Sequence, residues 1–292
     1  MSSSTVYLLA LGANFFFSTA SLIFSLYSKK FSPWWVNQLK VSIAITLFGI
    51  ACLLTPTVAV SYKAIGFLMF SGFIGLCIGD LFLFKAYTTL GAGRSLVLFS
   101  FQPILLGLYG WIFLSQVLSL NQVVAVTCMI ACLFVFLLER NKLTGSWDLK
   151  SFLWAFAGIF LDASGVMLTR EAYEMTQGLD SMQVNFIRCT GALLGFVLIK
   201  PKMFISMFGD FMQMKKRESA LIVIACICGT FVSLSLYLAA LKHAHMASLT
   251  AVAITGPVWV SILECFWERK LPNRYLSAAF ALFVLGFYFM AK

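Results

Sequence analysis

Ten stretches of the chain, 5–28, 33–55, 64–87, 94–115, 120–138, 149–172, 181–200, 218–241, 247–267 and 272–291, are each apolar over a helix-like length. A helix needs about 20 such residues to cross the hydrocarbon of a bilayer. Little of the 292-residue chain is left outside them, so a soluble domain of any size is excluded. Composition agrees: 61% of residues are hydrophobic and 11% charged, with a mean hydropathy of +0.94, whereas a soluble domain is about half apolar and one quarter charged. The expectation is an all-α membrane protein of ten transmembrane helices.

The ten stretches are not independent. Ala86 and Pro103 have the same separation as Ala240 and Pro257, so the two prolines occupy one position in two copies, 154 residues apart. Earlier in each copy the offset is 148, and three polar pairs keep it: Asn14 with Asp162, Asn37 with Asn185, and Lys40 with Arg188. The segment from Lys200 to Glu218 takes up the six-residue difference. This predicts a first repeat over 1–145 and a second over 146–292, five helices each. An odd number of spans per copy inverts the second relative to the first, so the fold expected is two inverted five-helix repeats around a central cavity.

The net charge of +10 would point to nucleic acid in a soluble protein. Here fourteen Lys and Arg lie in the odd-numbered loops and four on the other side, so the charge reads as topology and no nucleic-acid partner is expected. By the positive-inside rule the odd loops are cytoplasmic and both termini outside. No cleavable signal peptide is expected, because the N-terminal apolar run has no basic segment before it. Between spans 7 and 8, Met203, Phe204, Met207, Phe208 and Phe211 alternate with Lys200, Lys202, Lys215, Lys216 and Arg217 nearby. That pattern fits either an amphipathic segment on an anionic membrane surface or an ordinary basic loop.

Seven ionisable or amide side chains fall well inside spans: Asn14, Lys40, Asp80, Lys85, Asp162, Arg188 and Glu264. A charge at the bilayer centre costs about 2.5–3.5 kcal/mol on insertion scales, so such groups face a cavity or one another. Internal pairing, Lys40 with Asp80 or Arg188 with Asp162, is one reading; a polar substrate path is the other. Lys40, Arg188 and Lys85 are expected in structural or charge-pairing roles. Asp80 and Glu264 are the leading substrate-site candidates, with Tyr87, Phe99, Gln102, Asn14 and Asp162 beside them. A carboxylate among aromatic rings suits an amine or zwitterion through ion pairing and cation–π attraction. Pro103 and Pro257 are expected to break helices 4 and 9, each freeing a carbonyl that only protein or a cavity can satisfy. The eight cysteines show no ligand spacing, and neither a metal nor a cofactor is expected.

The run Leu236-Tyr237-Leu238-Ala239-Ala240-Leu241-Lys242, the start Ala247-Ser248-Leu249-Thr250, Pro257, the exit Glu268-Arg269-Lys270-Leu271 and the late Gly286 resemble the drug/metabolite transporter superfamily, of the EamA-like ten-helix type. Two features depart from that pattern: Leu114-Ser115-Gln116 replaces the exit glutamate in the first copy, and Trp267 replaces the glycine before it in the second. The resemblance implies termini in the cytoplasm, opposite to the charge count. It also implies a secondary transporter in the cytoplasmic (inner) membrane, moving amino acids, amines or related metabolites by alternating access, with protons as a candidate coupling ion, lipids as neighbours and no enzymatic activity. A flippase for lipid-linked substrates on the same fold is the alternative. An intramembrane aspartyl protease is disfavoured, because Cys77-Ile78-Gly79-Asp80 lacks the first glycine of a GxGD motif.

Overall fold

The computed structural model describes residues 3–99, 101–102, 105, 120–144, 149–243, 256, 259–260, 263, 266 and 273–291. Among these the chain is helical, without strands. The helices are α1 (Ser3–Lys30), α2 (Pro33–Leu54), α3 (Tyr62–Leu90), α4 (Ala92–Phe99), α5 (Leu120–Thr144), α6 (Leu149–Met175), α7 (Ser181–Ile199), α8 (Pro201–Met212), α9 (Lys216–Lys242) and α10 (Arg274–Ala291). Six of them, all of α2, α3, α6, α7 and α9 and the part of α1 from Leu8, are long and apolar enough to cross a membrane. Predicted spans 4 and 9 lie mostly outside the described residues, together with Pro103, Pro257 and Glu264.

Local sequence sets the helix starts. Ser32 accepts a hydrogen bond from the Trp35 amide at 3.0 Å, with Pro33 in the first turn of α2, and Asp180 does the same for Met182 at 2.9 Å ahead of α7. Each satisfies one of the amides a helix leaves unpaired at its start. Gly91, at φ 87°, ends α3 in a conformation that favours glycine, and α4 begins at once. The turn is tight, because one residue with positive φ suffices.

Two helices carry a widened turn that hydrophobic periodicity does not announce. α3 is π-helical over Gly72–Gly79, and α9 over Ile227–Val232. Under the 154-residue offset these segments coincide, with Gly75 over Gly229. π turns recur where a helix must present atoms out of its ordinary register. Around them the copies interlock: α1 lies along α9 and α6 along α3, so the first helix of each copy packs on the third helix of the other, while α2 runs along α7 and α5 along α10.

Backbone contact between α3 and α7 is as close as helices permit. A Cβ on Gly72 would collide with the Arg188 backbone, and one on Gly191 with the Met69 backbone. Small residues at such crossings let membrane helices approach without a hydrophobic driving force. Gly72→Ala or Gly191→Ala is expected to destabilise the folded protein by about 1–3 kcal/mol or more through overpacking, read as a lower melting temperature in detergent. Gly66→Ala, on the same helix with nothing within 4 Å of the added carbon, is the control expected to melt no lower than the parent.

Candidate functional site

The first polar centre joins α2 to α3. Lys40 and Asp80 are both buried, 3% and 7% exposed, and the Lys40 ammonium donates to the Asp80 carboxylate. Asp80 is the first residue after the π segment, and its amide bonds back to the Gly75 carbonyl. One turn before Lys40, Asn37 donates from its side-chain amide to the Leu76 and Cys77 carbonyls at 3.0 and 2.9 Å. α2 thus supplies a counter-charge for the acid and donors for carbonyls of the widened turn. Phe84 closes the pair from one side, its ring 5.1 Å from the Lys40 nitrogen and packed on Phe24 and Tyr87.

The second centre lies where α6 and α7 meet the same π segment. Arg188 is 1% exposed and donates from Nε to the Ser71 hydroxyl at 3.1 Å. Ser71 in turn donates to the Gly165 carbonyl at 2.7 Å and lies 2.9 Å from the Thr169 hydroxyl. Asp162, midway along α6, accepts from the Gln102 amide at 2.7 Å. Both approach Gly75: a Cβ there would stand 3.6 Å from Asp162 Oδ1 and 3.7 Å from Arg188 Nη2, in ordinary contact with each. Carboxylate and guanidinium thus converge on one point against the π segment. Asp162 is half-buried, in contrast to the buried Lys40, Asp80 and Arg188.

Its counterpart on α1 is built differently. Asn14 corresponds to Asp162 and Gly256 to Gln102 under the two offsets. A Cβ on Gly256 would lie 3.0 Å from the Ser18 hydroxyl and 4.0 Å from Asn14 Oδ1. Where Gln102 in the first copy offers an amide side chain, Gly256 in the second offers bare backbone.

The remaining predicted residues disperse. Tyr87 is fully buried in the apolar core with Phe24, Trp35 and Phe84. Phe99 is partly buried and bridges that core to the one around Phe101 and Phe152. Lys85 stands 4.3 Å over the Trp154 ring and 5.7 Å from Phe82, held by cation–π contact. Four participants were missed from sequence: Ser71, Gly75 and, through their carbonyls, Leu76 and Cys77. The signal available was the spacing of Gly72, Gly75 and Gly79, which marks a helix face that another backbone approaches closely. Among the described residues no group of His, Cys, Asp or Glu could hold a metal ion.

A family model described as the EamA-like transporter family matches the chain twice, over residues 4–138 and 149–292. No curated protein matches. Eighteen solved chains do. One, described only as the crystal structure of a protein, is 18% identical, with a TM-score of 0.66, covering 99% of this chain and 96% of that one. At that identity it shows the fold alone.

Breaking a buried ion pair by removing one partner costs about 3–5 kcal/mol, while replacing both with apolar groups can be neutral. The second copy performs that replacement at the acid, since Leu234 stands where Asp80 would. Lys40→Met and Asp80→Leu are each expected to lower the melting temperature sharply, and the double variant to recover most of the loss. A double variant no better than the worse single one would show that the two charges do not act as a pair.

Proposed function

We propose, from the premise that this chain belongs to the EamA-like transporter family, that it is a secondary transporter of amino acids, amines or related metabolites in the cytoplasmic (inner) membrane. Its ten spans form two inverted five-helix repeats, 1–145 and 146–292, around a central cavity. The observation that carries this reading is the half-buried Asp162 carboxylate midway along α6, beside Gln102 and converging with Arg188 over Gly75.

Such a centre suits a solute bearing an amine. The ammonium group meets Asp162, Arg188 balances the charge or receives a substrate carboxylate, and Gln102 supplies an amide that rejects solutes without a matching polar group. Phe99 and Asn14 line the path on either side of this centre. Asp80 stays with Lys40 and holds α2 against α3, so of the two buried-span aspartates Asp162 is the one that meets substrate.

Movement follows from inversion, because two copies of one unit can exchange conformations. The copies stand in unequal states. Asn37 satisfies two carbonyls of the π segment in α3. Its counterpart Asn185 is fully buried, and among the described residues neither of its amide atoms has a hydrogen-bond partner; the Thr230 hydroxyl in the π segment of α9 is in the same position. A buried amide left unpaired costs free energy that a rearrangement can recover. In the exchanged state Asn185 takes the carbonyls of residues 230 and 231 and Asn37 releases those of Leu76 and Cys77, so that cost passes from one copy to the other as the repeats rock.

Purified protein in liposomes is expected to move at least one amino acid or amine, with the flux responding to a pH gradient where protons are coupled. No movement of any such solute, with or without the gradient, would overturn the reading. Asp162→Asn is expected to abolish the thermal stabilisation a transported solute gives and to cut flux at least tenfold. Asn185→Leu is expected to keep that stabilisation while slowing flux, since it removes the group that changes partners and leaves the solute site untouched. Equal loss of both readouts in the Asn185 variant would place that residue in the site and remove it from the movement.

A further inference from the structure

The segment that the two copies do not share, Lys200 to Glu218, folds into the twelve-residue helix α8, which begins at Pro201. Twelve residues rise about 18 Å, too short to cross the bilayer, yet the helix is strongly sided. Successive residues on an α-helix turn by about 100°, and the side chains of α8 fall into three strips on that wheel.

The first strip is bound to the protein. Met207 is fully buried in the core with Trp35 and Ile222, Phe211 packs on the same core, and Met203 and Phe204 pack on the core that holds Trp34 and Phe196. The second strip is apolar and uncovered: Ile205 is 72% exposed, Phe208 48% and Met212 82%. The third strip, Lys202, Ser206, Asp210 and Gln213, is exposed and polar. A helix lying on water alone has no use for the second strip, and one sunk in hydrocarbon could not carry the third. Protein on one side, lipid on the next and water on the last satisfies all three, which is the position of a helix in the interfacial plane.

Charge identifies the lipid. Lys200 and Lys202 stand at the start of α8, and Lys215, Lys216 and Arg217 follow it, all exposed. The exposed Lys29 and Lys30 end α1 on the same side. Against these seven cations stand two acids of this region, Asp210 and Glu218, and Glu218 is already paired with Lys30 at 2.7 Å. The Lys200 ammonium lies 4.8 Å over the Trp34 ring, and Lys200, Pro201, Lys202 and Met203 line an open cleft of about 400 Å³. Two lysines lining an apolar cleft, one of them with its ammonium over Trp34, next to an apolar strip, match a phosphate head with its acyl chain. Each basic residue near an anionic leaflet adds about 1 kcal/mol of attraction.

We infer that α8 is an interfacial helix that seats the junction of α7 and α9 on anionic phospholipid, with Ile205, Phe208 and Met212 in the acyl region and Lys200 and Lys202 at the headgroup phosphate. The inference is independent of what the protein transports. It also gives the six added residues a use: they tie two spans of one repeat to the leaflet and leave the equivalent pair in the other repeat free.

The test uses the full chain in nanodiscs of phosphatidylglycerol and phosphatidylcholine, with single spin labels on genetically encoded ketone residues. Labels at 205, 208 and 212 are expected to be more accessible to oxygen than to a water-soluble nickel reagent, and labels at 206, 210 and 213 the reverse. Equal water accessibility at all six positions would overturn the placement. Native mass spectrometry of the parent protein and of the double variant K200Q/K202Q reads the lipid. At least one bound phosphatidylglycerol is expected to be lost from the variant, with phosphatidylcholine unchanged and millimolar inorganic phosphate unable to compete. Equal phosphatidylglycerol counts would overturn the headgroup assignment, and displacement by free phosphate would assign the cleft to a soluble anion instead.

Discussion

Hydrocarbon offers no hydrogen bonds, so each polar group carried into the bilayer has to find its partner inside the bundle. The structure is arranged around that demand at the π segment of α3. A widened turn displaces carbonyls from their ordinary acceptor register, and Asn37 reaches across from α2 to take those of Leu76 and Cys77. The same turn brings Asp80 to Lys40 and presents Gly75 where Asp162 and Arg188 approach. Three helices are thereby held against one by groups that could not be solvated elsewhere. Gly72 and Gly79 are the condition for it, since the α7 backbone at Arg188 passes where a Gly72 side chain would stand and the α6 backbone at Gly158 comes within 3.3 Å of where a Cβ on Gly79 would be.

Much of this was legible in the sequence, for identifiable reasons. Apolar length located the six described spans to within a few residues, because hydrocarbon thickness fixes it. The constant offset placed Asn37 opposite Asn185 and Lys40 opposite Arg188, and it did so without any knowledge of contacts. Lys40 with Asp80 stood among the pairings that the cost of an unpaired charge suggests. What was not legible is what depends on three dimensions. A π turn leaves the apolar run unbroken, so periodicity does not register it. The partner of Arg188 is Ser71 on another repeat, 117 residues away, and a serine in a membrane span has no distinguishing signature. The turn after α3 rests on Gly91 alone, whose positive φ has no mark in the sequence that separates it from Gly93.

The two copies differ most where charge is concerned. Lys40 has an acid one helix away, and Arg188, its equivalent, has Leu234 in that place. A guanidinium without its acid requires other acceptors, and Arg188 takes them from the opposite repeat through Ser71. Loss of one carboxylate thus converts a bond within a copy into a bond between copies. The bland consequence is a tighter junction between repeats. The further one is that Asp162, half-buried on α6, takes an amide partner in Gln102.

An inverted repeat with identical copies would have two equivalent states and no preferred one, so any bias has to come from residues that differ. Here the differences fall in two places. At the centre, Gln102 against Gly256 and Asp162 against Asn14 make one side a polar pair and the other a close approach of backbone to Ser18 and Asn14. At the periphery, α8 exists in one copy alone and presents Ile205, Phe208 and Met212 outward. On the proposed transport reading, a central difference acts on a bound solute, through contacts made only when one is present. A peripheral difference acts with no solute bound, because lipid is always present. In the carrier proposed above, the energy gap between the two orientations when empty is therefore set by features such as α8, and the way a solute changes that gap by the pair Asp162 and Gln102, since a ligand shifts an equilibrium only by its differential affinity for the two states.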